Sequence, residues 1–126
     1  MNSNAIWIIG ASSGIGRELA LQYADKGQAV VISARSAEKL DEVAALKPEQ
    51  IKPLPLDITD EQSVRLATYR LYADGEGPET VILNAGTYAP MSFDHFSAGK
   101  AMQVMDVNYF GVVRVLERIL PHLIEK

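Results

Sequence analysis

Cysteine is absent from the 126 residues, so disulfides, thiolate nucleophiles and cysteine-held metals are excluded. Histidine is scarce. His95 and His122 do not sit at ligand spacing, and no metal site is expected. No block of Lys or Arg occurs and the net charge is −4, so nucleic acid and membrane surfaces find no electrostatic footprint. No stretch approaches the ~20 apolar residues of a membrane span. The opening Met1-Asn2-Ser3-Asn4 is polar and the apolar run behind it is only of strand length, so no signal peptide is read there. A soluble cytoplasmic protein is the expectation. With 48% apolar residues the chain can bury a real core, and residues 1–126 are read as one domain.

Short apolar runs alternate with amphipathic stretches. Strands are expected at residues 5–9, 29–34, 51–56 and 80–83. Ile15, Leu19, Ala20 and Tyr23 recur at helical spacing, and Gly27 stands where a helix C-cap belongs. Ser36 can cap a second helix running to about Leu46. Thr59 and Gln62 form a capping-box pattern for a third, ending near Ala73. After a turn at Gly75-Glu76-Gly77-Pro78 and a polar loop over 84–95, a single long helix is expected from about Gly99 to Ile124. Met105, Tyr109, Val112, Val113, Leu116, Ile119, Leu120 and Leu123 form its apolar stripe. The repeating βα order predicts a parallel sheet with helices on both faces and right-handed crossovers. A strand order of 3-2-1-4 puts the strand carrying Pro53 and Pro55 at an edge, where a residue without an N–H is tolerated.

The segment Ile6-Trp-Ile-Ile-Gly-Ala-Ser-Ser-Gly-Ile-Gly16 is the most informative. A buried strand runs directly into glycines that open a helix. Glycines let the backbone approach an anion, and the helix start offers unpaired N–H groups and the positive end of its dipole. Four further segments follow in order: Ser33-Ala34-Arg35-Ser36, Leu56-Asp57-Ile58, Asn84-Ala85-Gly86 and Val107-Asn108-Tyr109-Phe110-Gly111. Together these five segments resemble the N-terminal half of the short-chain dehydrogenases/reductases, over essentially the whole chain.

The resemblance implies a Rossmann-like, doubly wound α/β fold, of which this is one half, and a nicotinamide dinucleotide cofactor. Gly10, Gly14 and Gly16 would keep the phosphate approach clear, while Ser12, Ser13 and Ile15 would present donors. Asp57 would accept from the adenine amino group and Ile58 would pack on its ring. Asn84, Ala85 and Gly86 would end the central strand beside the adenine ribose. Asn108 would support the catalytic lysine through water; a polar residue satisfied against backbone is the structural alternative. Where a ribose-binding carboxylate often ends the second strand, this chain has Ala34 followed by Arg35. A guanidinium suits a 2′-phosphate, so NADP(H) is favoured over NAD(H). Ile9 stands where the family often has a threonine.

The family's chemistry also needs a tyrosine with a lysine four residues later. None of Tyr23, Tyr69, Tyr72, Tyr88 and Tyr109 is followed by lysine at that spacing. The expectation is a cofactor half-site cut off before the proton-transfer residues, which belongs to an alcohol/carbonyl oxidoreductase and is inactive alone. A homo-oligomer formed through the long last helix or an exposed strand edge fits the surplus apolar surface. Two rivals stand beside this reading. One is a non-catalytic NADP(H)-binding or regulatory module. The other is a serine hydrolase, because Gly10-Ala11-Ser12-Ser13-Gly14 also satisfies G-x-S-x-G, with Asp94 or Asp106 and His122 completing a triad order.

Overall fold

The computed structural model describes residues 4–125; Met1-Asn2-Ser3, part of the polar opening, and Lys126 lie outside the described residues. Four strands, β1 (Ile6–Ile9), β2 (Val30–Ser33), β3 (Ile51–Pro53) and β4 (Thr80–Leu83), form one parallel sheet in the order β3-β2-β1-β4. Ile6 lies opposite Val30 on one side and Thr80 on the other.

Side chains alternate across a strand, and both faces of this sheet are covered, which is why β1 is apolar throughout. Ile6 and Ile8 join Ala20 and Ala24 of α1 (Gly14–Asp25) and Leu40 and Val43 of α2 (Ala37–Leu46) in one core. Trp7 and Ile9 point the other way, into a core with Val64 and Leu71 of α3 (Glu61–Tyr72) and Val115 and Ile119 of α5 (Val112–Ile124). The single indole N–H is not stranded by this burial: it donates to Ser33 Oγ at 2.8 Å.

β3 is shorter than expected, but its pairing runs on. Leu54 N–H donates to the Ile32 carbonyl at 2.8 Å and Leu56 N–H to the Ala34 carbonyl at 3.0 Å. Residues 53 and 55 fall on the alternate, outward positions. The two prolines therefore sit where no ladder donor is needed, at the sheet edge.

Ser36 caps α2 as expected, its Oγ accepting from Lys39 N–H at 3.2 Å. The cap of α3 is Asp60, which accepts from Gln62 N–H at 3.0 Å, and not Thr59. Thr59 is engaged elsewhere, donating its hydroxyl to Asp57 Oδ1 at 2.6 Å.

The expected long helix over 99–124 is present, but it is not uniformly α-helical. Ser97 caps α4 (Ala98–Met105), a π turn spans Asp106–Gly111, and α5 follows. The wider turn shifts the helical register, so a stripe drawn at constant spacing does not survive across it. Val115, outside that stripe, is fully buried beside Ile119, whereas Met105, Tyr109, Val113 and Leu120 are exposed. The loop ahead of α4 also contains a short 3₁₀ turn at Phe93–His95.

Candidate functional site

At the carboxyl ends of β1, β2 and β4 lies a cleft of about 540 Å³. In an open α/β sheet this is where crossovers from neighbouring strands part to opposite faces and leave a crevice. Here α1 and α2 cover one face and α3 and α5 the other.

The first wall is the turn from β1 into α1. Gly10 (φ +95°) and Gly14 (φ +61°) adopt left-handed backbone, which glycine takes without strain. Gly16 is needed for space instead. A Cβ there would stand 2.1 Å from the Gly10 carbonyl oxygen and 2.9 Å from Asn84 Nδ2. Ser13 occupies the N-cap position of α1 without a side-chain cap, and Ile15 is 71% exposed. The helix start thus presents its N–H groups to the cleft without a capping side chain in front of them.

The second wall follows β2: Arg35, Ser36 and Lys39 line the cleft. Arg35 is exposed. The third wall is the loop after β3. Asp57 Oδ1 accepts from the Thr59 N–H at 3.0 Å as well as from its hydroxyl. Burial works to raise the Asp57 pKa, but these two bonds, with the charges of Arg35 and Arg114, outweigh it and hold the carboxyl below its ordinary value. Ile58 is buried alongside.

The floor is the end of β4. Asn84 N–H donates to the Ile9 carbonyl at 2.8 Å, and its Nδ2 donates to the Gly10 carbonyl at 3.1 Å. That side chain ties β4 to the glycine turn. Asn108 has a similar tie: Oδ1 accepts from Thr87 N–H at 2.7 Å and Nδ2 donates to the Thr87 carbonyl at 2.9 Å. Its contacts here are those of a polar group satisfied against backbone.

All twelve residues expected to bind cofactor, except Gly16, line this one cleft; Gly16 packs directly beneath the turn. Lys39, Thr87 and Val107 line it too, beyond the residues expected from the sequence. Lys39 carries a signal, since it stands four residues beyond Arg35 where a helix begins; Thr87 and Val107 carry none. The triad alternative is not assembled. His122 stacks on Tyr72 at 4.6 Å, and the Tyr72 hydroxyl donates to the Pro78 carbonyl just before β4 begins. That is the opposite end of the strands from Ser12. Among the described residues no group of His, Asp and Glu could hold a metal ion, and no helix is long and apolar enough to cross a membrane.

Sheet order, two-sided helical cover and the glycine turn define a Rossmann-like α/β protein. The model of the short chain dehydrogenase family matches residues 4–126, and the chain belongs to that family. It is 34% identical over 128 residues to mouse dehydrogenase/reductase SDR family member 7, covering 96% of this chain and 38% of that protein. A fatty acyl-CoA reductase of Acinetobacter baylyi is 36% identical over 126 residues, covering 94% and 42% respectively. A short-chain dehydrogenase structure from Streptomyces avermitilis superposes with a TM-score of 0.87 at 26% identity, covering 98% of this chain and 46% of that one. The structure of ElxO with NADP bound superposes with a TM-score of 0.87 at 22% identity, covering 98% and 51%. The chain spans less than half of the length of these two curated relatives.

Proposed function

We propose that these residues are the cofactor-binding part of an NADP(H)-dependent oxidoreductase that interconverts an alcohol and a carbonyl compound. The observation that carries this reading is the cleft itself, an uncapped helix start behind left-handed glycines facing a wall with Arg35 and Lys39. The pyrophosphate would lie on Ser12, Ser13, Gly14 and Ile15, where donors and dipole favour negative charge. Asp57 would accept from the adenine amino group and Ile58 would flank the ring. The 2′-phosphate would meet Arg35, with Lys39 near. Asn84, Ala85 and Gly86 would flank the adenine ribose. When bound, the dinucleotide would donate or accept the hydride; residues 1–126 would bind and orient it, and they lack a tyrosine four residues before a lysine.

Titration with NADPH and NADH tests the reading. NADPH is expected to bind at least about tenfold more tightly, a difference of ~1.4 kcal/mol, with Arg35→Ala erasing most of it. Equal affinities that Arg35→Ala leaves unchanged would overturn the preference. Turnover of a ketone panel by residues 1–126 alone would overturn the division of labour. Self-association belongs to the same reading, because α4 and the π turn expose a groove of about 550 Å³ lined by Met102, Met105 and Phe110.

A further inference from the structure

Arg114 carries no motif in the sequence, and it does not line the cleft. Its side chain is only 28% exposed, and it is satisfied by two different segments. Nη1 donates to the Ile58 carbonyl at 3.0 Å and to the Asp106 carbonyl at 3.3 Å, while Nη2 pairs with the Asp106 carboxylate. One planar fork thus joins the loop after β3 to the first residue of the π turn. The fork serves these three acceptors from two nitrogens held in one plane, whereas a lysine would have to serve them from a single ammonium.

The joined segments meet a second time. A Cβ on Gly111, at the end of the π turn, would stand 2.6 Å from Ile58 Cδ1, so the Ile58 side chain lies directly on that turn. Ile58 is therefore held from its carbonyl by Arg114 and from its side chain by Gly111. Asp57 precedes it, and the Arg114 charge helps to keep the Asp57 carboxyl ionised. Asp57, Ile58 and Thr59 form one wall of the cleft, and Val107 of the π turn reaches it as well.

We propose that Arg114 is a positioning residue for the adenine end of the site, fixing the Asp57-Ile58 wall against the π turn without touching the nucleotide. This rests on the cofactor reading given above. The guanidinium sets where the Asp57 carboxylate and the Ile58 side chain stand relative to each other. It should therefore control recognition of the adenine edge more than overall affinity.

The test compares NADPH with its hypoxanthine analogue, in which the 6-amino donor is replaced by a carbonyl oxygen. Affinities are measured for the wild type, Arg114→Gln and Arg114→Lys. The wild type is expected to prefer the adenine form. In Arg114→Gln that ratio should fall by about tenfold, mainly through weaker binding of the adenine form, with Arg114→Lys in between because it keeps the charge and loses the fork. A ratio unchanged in the variants, whether both affinities fall together or neither moves, would overturn the proposal and leave Arg114 a support of the fold. Should Arg114→Gln not fold, the Arg114→Lys ratio decides in the same way. A wild type that binds neither nucleotide would overturn the cofactor reading itself, a distinct outcome that leaves Arg114 nothing to position.

Discussion

Tyr72 illustrates how one residue closes an end of the molecule. Its ring stacks on His122, its hydroxyl donates to the Pro78 carbonyl at 2.6 Å, and a Cβ on Gly77 would stand 2.2 Å from its Cδ1. Burial pushes the phenol up to about 12 from an ordinary 10.0. A folded-state pKa raised above the unfolded one means stability that is fully present below pH 10.0 and lost as the pH rises towards 12. Tyr72→Phe removes the hydrogen bond and leaves a buried carbonyl unsatisfied, a loss of about 1 kcal/mol at neutral pH. Urea denaturation should show that loss at pH 7 and a narrowing gap between wild type and variant between pH 10 and 12. A gap constant across that range would contradict the burial argument.

At the scale of elements, the π turn decides how α4, α5 and the loop over 84–95 relate. It puts Asn108 where both ends of its amide reach the Thr87 peptide, and it puts Val115 and Ile119 into the core beneath Trp7. The Asn108 bonds are exposed, so their energetic weight is modest, but they close the loop locally. Asn108→Ala is expected to speed amide hydrogen exchange at Thr87 at least several-fold while leaving β1 and β2 protected. Unchanged exchange at Thr87 would show that the loop is held by other contacts. α1 makes the complementary point. Its start is left without a side-chain cap at the end that faces the cleft, whereas α2 and α3 are capped by Ser36 and Asp60.

For the whole molecule, the distribution of apolar surface is uneven. β1 and β2 are covered on both faces, yet β4 ends the strand order, and its residues Val81, Ile82 and Leu83 are only half-buried. A second apolar area lies on α4, where Met102 is 70% exposed beside Met105 and Phe110. A strand edge without a neighbour among the described residues and an apolar groove on one molecule favour association. Sedimentation is expected to show a concentration-dependent oligomer that Met102→Glu shifts towards monomer. A wild type that stays monomeric at high concentration would sink this prediction.

Alternation and punctuation make the sheet readable from the amino-acid sequence alone. Four apolar runs, the βα order and the prolines at 53 and 55 lead to the observed strand order, and the glycine turn leads to the cleft. These features are local or nearly so: side-chain period, backbone freedom at Gly10 and Gly14, and the missing N–H of proline act within a few residues. Tertiary structure alone decides what depends on partners far along the chain. Thr59 and Asp60 both suit a helix start, and the Asp57 carboxylate, by engaging Thr59, leaves Asp60 as the cap. The last helix reads as continuous at 3.6-residue spacing. Its π turn comes with contacts to Ile58, 53 residues before Gly111, and to Thr87, 21 residues before Asn108. Arg114 reads like any charged residue on an amphipathic helix. Its place under the cleft comes from carbonyls that no spacing rule connects to it.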